Sequence, residues 1–137
     1  MYNTPFRPNS TGQSRIRTAS RSNLKVPEQM KAWSVALAGE MASWPQVRSR
    51  VFFGYTAVYR RDAIFALLPR TRALDPLSSI AFKLESASPR IRARAKRDPR
   101  LGFTEMQKAR WFTFELTSGA DLRDALAWLQ RAHDAAG

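Results

Sequence analysis

Apolar residues at Met30, Trp33, Leu37 and Met41 recur at spacings of three and four, the period of one face of an α-helix. Pro27 suits the first helical turn, Val26 before it is pushed towards extended geometry, and Glu28 complements the positive helix end. After Trp44-Pro45 the period drops to two. Val47, Ser49, Val51 and Phe53 then share one face of a strand, and "GYTAVYRR" and "AIFALLP" follow as two more, separated by a tight corner at Asp62. Asp75-Pro76 is a turn signal, after which Ile80, Phe82 and Leu84 restore the alternation in a fourth strand.

Ser88 is a good N-cap and Pro89 a good first residue for a short helix that must stop before Pro99. "LGFTEMQKAR" reads as a loop. Phe112, Phe114 and Leu116 then alternate with Trp111, Thr113 and Glu115, which predicts a fifth strand. The chain closes on a helix with Leu122, Ala125, Leu126 and Leu129 as its buried stripe, and with Ser118 and Asp121 as a capping pair.

These elements predict an α+β fold: a mostly antiparallel five-stranded sheet with helices packed on one face, in the order α-β3-β-α-β-α. Residues 26–137 are expected to form one domain. Residues 1–25 carry Arg7, Arg15, Arg17, Arg21 and Lys25 without an acid or a regular period, and are expected to be a disordered basic tail.

Composition narrows the chemistry. The 137 residues include no cysteine, which excludes disulfides and thiolate catalysis, and no apolar run approaches the roughly 20 residues that span a bilayer. A soluble, cytoplasmic protein is the expectation. With one histidine, His133, no cysteine and scattered acids, no metal site is expected. His133 is placed in the last, frayed helical turn, and no Gly-x-Ser-x-Gly elbow or phosphate-cradling glycine loop is present. No cofactor is expected. Asp62 with Glu105, or Glu85 with Glu115, could in principle pair as acid and base, but nothing in the sequence brings either pair together.

"FFGYTAVYRRDAIFALLP" followed by "IAFKL" resembles the amino-terminal domain of TfoX-type competence regulators, through Phe53, Gly54, Tyr59, Arg60, Phe65, Ala66, Leu67 and Lys83. The later block, "TEMQKARWFTFELTSGADLRDALAWLQRAHDAA", is similar to luciferase-type domains, through Trp111, Asp121, Leu122, Ala125, Leu126 and Trp128. Together the resemblances cover roughly residues 45 to 135 and imply the small α+β fold of YjbR-like and secretion-chaperone-like domains. Their motifs mark structure rather than chemistry. This chain departs from the first pattern in having no glycine at Arg61-Asp62-Ala63, and the second, helical domain of those regulators is not expected.

Charge is the feature left over. The net charge is +12, and "SPRIRARAKRDPR" gathers Arg90, Arg92, Arg94, Lys96, Arg97 and Arg100 around a single acid, Asp98. On a helix Arg90, Arg94 and Arg97 form one row, Arg92 and Lys96 a second, and Ile91, Ala93 and Ala95 leave only a thin apolar stripe. A solvated surface helix more often interleaves both signs, and the planar fork of arginine matches phosphate and carboxylate better than lysine does. Arg48 and Arg50 on the first strand, with Lys108 and Arg110 before the fifth, extend the set. If these converge, the footprint meets about four to six phosphates and binding falls with salt at a log–log slope of about −4 to −5.

The leading expectation is a non-catalytic accessory or regulatory domain whose basic surface binds nucleic acid without sequence preference, or an acidic protein. One alternative is a chaperone-like protein-interaction module that homodimerises. The other is a small enzyme with a pocket near Trp33 and Trp111.

Overall fold

The computed structural model describes residues 25–85, 87–103 and 110–137. Of the expected tail only Lys25 is among them, and Glu105 and Lys108 lie outside the described residues. Among the described residues nine elements follow one another: α1 (Glu28–Met41), β1 (Val47–Phe52), β2 (Tyr55–Arg60), β3 (Ala63–Pro69), β4 (Ser79–Lys83), α2 (Pro89–Arg97), β5 (Leu101–Phe103), β6 (Trp111–Glu115) and α3 (Asp121–Ala136). All strand pairs are antiparallel, in the order β1-β2-β3-β4-β6-β5. The α+β class and antiparallel sheet follow the sequence pattern; the strand count does not. The sixth strand is β5, read as loop, because three residues centred on Gly102 carry no usable period and become a strand only by pairing with β6.

Antiparallel partners share a face, so the register assigns every side chain. Val58, Ala66, Ile80, Phe82, Phe112 and Phe114 point to the helix-covered side, where they meet Met30, Trp33, Leu37 and Met41 of α1 and Ala125, Trp128, Leu129 and Ala132 of α3 in one core. Phe82 is stacked between Phe112 and Trp128, with ring centroids 5.8 Å away on each side. A bulge between Val58 and Tyr59 lets Phe65 join Ala66 on this side, and both are fully buried.

Two hairpins need left-handed backbone. Phe53 (φ 48°) and Gly54 (φ 89°) form the two-residue turn between β1 and β2, both with the positive φ of a type I′ turn. The Gly54 carbonyl accepts from the N–H groups of Arg70, Thr71 and Arg72 at 3.1, 2.9 and 3.1 Å, which anchors the loop after β3. Arg61 holds φ 56° in the β2–β3 corner without a glycine.

The helix ends partly follow expectation. Ser88 Oγ accepts from the Ile91 N–H at 3.3 Å, Pro89 opens α2, and the helix stops before Pro99. In α3 the expected Ser118 cap is replaced. Asp121 is itself the first helical residue, and its carboxylate accepts from the Thr117 and Ser118 N–H groups at 2.8 and 3.2 Å. Among the described residues no helix is long and apolar enough to cross a membrane.

Candidate nucleic-acid interface

α2 touches the core by Ala95, fully buried, and by the half-buried Ile91, and it packs beside β5. So narrow an apolar stripe leaves Arg90, Arg94 and Arg97 facing solvent. The link from α2 to β5 turns back at Asp98-Pro99-Arg100, and this brings the end of α2 alongside α3. Between them runs a groove of about 630 Å³ lined by Arg94, Arg97, Asp98, Asp124, Trp128 and Arg131, among others.

Arg100, a candidate phosphate ligand from sequence, is consumed by this turn. Its guanidinium bonds Asp98 twice at 3.1 Å, Asp121 at 3.1 Å and Asp124 at 3.0 Å, and lies 4.8 Å from the centre of the Phe114 ring. The carboxylates respond accordingly. Burial would raise Asp98, but the side-chain and backbone bonds from Arg100 outweigh it and leave the group below its ordinary range. Asp121 is held low first by the Thr117 N–H, with help from Ser118 and Arg100 against a smaller burial penalty. Arg100, with three acids around it, is held more firmly protonated than a free arginine.

Because Arg100 occupies the acids at this end of the groove, the other end is cationic. Arg131 lies 4.5 Å above the Trp128 ring, and its pKa is lowered first by burial and then by the charge of Arg94. Arg94, Arg97 and Arg131 form no bond to a carboxylate among the described residues. Three guanidiniums line one groove, and the charge of Arg94 opposes that of Arg131, an arrangement that favours an anion there.

The other sequence candidates are distributed differently. Arg92 donates to the Leu84 carbonyl at 2.9 Å and so clips α2 to the end of β4. Arg110 meets Glu85 at 3.3 Å, and Lys83 meets the same carboxylate at 2.8 Å; the bond from Lys83 is the largest of the effects that hold Glu85 low. Lys96 is exposed and also has an interaction. Arg48 pairs with Asp62 at 3.1 Å, and Arg50 is exposed, both on β1. β1 and β5 are the opposite edges of the sheet, five strand spacings or roughly 24 Å apart, so Arg48 and Arg50 do not converge with α2. Alternating arginines on an unpaired edge strand instead oppose sheet-to-sheet association.

Arg131 was missed by sequence reasoning. It sits three residues after Trp128, a spacing that places a cation over an aromatic ring, but it lies in a stretch whose net charge is negative.

The catalytic alternatives change as well. His133 is buried rather than frayed: its Nε2–H donates to the Pro45 carbonyl at 2.8 Å, and Trp44 and Phe65 meet its ring edge-on at 5.6 and 5.5 Å. It ties α3 to the link between α1 and β1. Glu85 follows β4 at the Trp111 end of β6 and Glu115 closes the other end, so those two acids do not meet. Trp33 faces the core while Trp111 faces the open side of the sheet, so the two lie on opposite faces. Among the described residues no group of three potential ligands could hold a metal ion.

Compared with known protein families, with curated proteins and with solved structures, the chain shows no match.

Proposed function

We propose that this domain is a non-catalytic accessory module that holds a nucleic-acid backbone in the groove between α2 and α3, without sequence preference. The observation that carries the reading is the grouping of Arg94, Arg97 and Arg131 on one groove with no bonded carboxylate among the described residues, while Arg100 absorbs the neighbouring acids. Arg90 continues the same row along α2 and extends the footprint to three or four phosphates. Trp128 is covered by Arg131 and only 4% exposed, so it offers no platform for a base. Contact is therefore with phosphate, and duplex and single strands of equal charge density bind alike. The resemblance to TfoX-type and luciferase-type domains, and the cytoplasmic location, belong to this proposal. The Phe53-Gly54 turn and the strand-rich α+β order support the resemblance.

Fluorescence anisotropy of a labelled duplex tests it. Arg94→Glu with Arg97→Glu should weaken binding by more than about tenfold, and unchanged affinity would overturn the proposal. The same titration with an acidic polypeptide shows whether the groove accepts carboxylates in place of phosphates.

A chaperone-like interaction module is the second reading. It draws on Val51, Phe52 and Phe53, which are 59, 42 and 75% exposed beside one another at the β1–β2 turn. Light scattering separates the two, since a strict monomer that binds DNA leaves that turn without a partner in solution.

A further inference from the structure

The hairpin of β1 and β2 ends in an exposed apolar tip, on the sheet edge opposite β5, beside which α2 packs. Val51, Phe52 and Phe53 follow one another and are all exposed, Phe53 most of all at 75%. Alternation along β1 sends Phe52 to the open face of the sheet and Val51 to the helix-covered face, while Phe53 occupies the turn itself. Apolar surface therefore surrounds the end of the hairpin instead of covering one side of it. The tip is also fixed in shape. Phe53 and Gly54 hold the left-handed backbone of the turn, the Phe52 and Phe53 rings meet edge-on at 4.7 Å, and the Gly54 carbonyl takes three N–H bonds from residues 70–72.

Behind the tip stands a collar of arginines. Arg50 lies two residues before Phe52 on the same face of β1, and Arg70 and Arg72 belong to the loop bonded to Gly54. Arg72 is so close that a Cβ on Gly54 would come within 2.8 Å of its own Cβ. All three arginines are exposed, and among the described residues none bonds a carboxylate. Asp75, the nearest acid along that loop, already has a partner, and Arg48, further back on β1, is paired with Asp62 and lies outside the collar.

Three residues of extended chain place Arg50 about 10 Å behind Phe53. That separation fits a lipid interface, where an apolar element sinks about 5–10 Å to the boundary between headgroups and acyl chains and cations meet the phosphates above it. A folded partner would need a socket enclosing the tip on three sides, and a nucleic base stacks on only one face of a ring. Acyl chains close round a wedge from every side. The collar repels a second copy of the same tip and attracts a surface of anionic headgroups. We propose that the tip formed by Val51, Phe52 and Phe53 inserts shallowly into an anionic lipid bilayer, with Arg50, Arg70 and Arg72 on the headgroup phosphates. The attachment is peripheral and does not rest on the groove between α2 and α3.

Cosedimentation of the full chain with vesicles of phosphatidylcholine, alone or with about 30% phosphatidylserine, tests the proposal. The chain should pellet with the anionic vesicles and stay in solution with the neutral ones. Phe52→Ser with Phe53→Ser should weaken partitioning by about tenfold or more, and Arg70→Gln with Arg72→Gln by about tenfold. The serine variant keeps every arginine, so its loss separates the tip from attraction of lipid to the groove. Phe53→Trp locates the contact: against the unaltered chain, its added emission should shift to the blue on anionic vesicles and be quenched by acyl chains brominated near the headgroup. The proposal is overturned if anionic vesicles do not bind, if the serine variant partitions within about twofold of the unaltered chain, or if the emission added by Phe53→Trp is not quenched. It is equally overturned if the serine variant instead loses single-stranded DNA binding, or loses a dimer seen by light scattering, since either result assigns the tip to a different occupant.

Discussion

Arg131 lies over the indole of Trp128 at 4.5 Å, and the same Trp128 is stacked on Phe82 in the centre of the core. A surface cation is thus positioned by a buried ring, which limits its freedom and directs it into the groove beside Arg94. Replacing Arg131 with Gln should lower the log–log salt slope of DNA binding by about one while leaving a folded protein. Arg131→Lys should restore the slope but not the full affinity, because lysine lacks the planar fork. Anisotropy titrations at several salt concentrations measure both.

Arg100 has the opposite role. It joins Asp98, Asp121 and Asp124 across the turn from α2 to β5 and the start of α3, so Arg100→Gln should cost stability rather than affinity for DNA. The acids at Asp98 and Asp121 are largely covered, with side chains 16 and 15% exposed, and losing their partner should cost about 2 kcal/mol. A lower urea midpoint at unchanged m-value checks this.

The same cluster sets an acid limit. Asp98 and Asp121 are both held below their ordinary value of 3.8 in the folded chain, so an unfolded chain takes up protons first as pH falls. Their contribution is therefore complete well above pH 3.8 and is lost as pH drops through that value towards the lower folded values. Denaturant midpoints measured from neutral to acid pH should fall in that window, and the fall should be shallower in Arg100→Gln.

Gly54 combines positive φ with close contact. A Cβ at this position would sit 2.8 Å from the Cβ of Arg72, so Gly54→Ala should destabilise by about 1–3 kcal/mol and loosen the loop over the open face. At Arg61, which has φ 56° and carries a side chain, Arg61→Gly should stabilise by about 0.5–1 kcal/mol. Thermal melts of the two variants should shift in opposite directions.

What could be read from the sequence was whatever depends on local period. The stripe of Met30, Trp33, Leu37 and Met41, the alternation of Phe112, Phe114 and Leu116, and the limits of α2 at Ser88 and Pro99 are all local and all present in the structure. β5 was hidden because its identity comes from β6, not from its own three residues. The same distinction applies to the site. Exposure of Arg90, Arg94 and Arg97 follows from the thin stripe of α2, but the capture of Arg100 by three aspartates and the arrival of Arg131 both need the turn that lays α2 against α3. Strand order, which no local pattern encodes, separates Arg48 and Arg50 from that groove.

The most direct measurement is the salt dependence of duplex binding by the full chain and by a variant carrying Arg94→Gln, Arg97→Gln and Arg131→Gln. The groove accounts for a reduction of about three in the log–log slope between the two. Equal slopes, with the variant folded, would contradict the account by placing the phosphate contacts elsewhere on the chain.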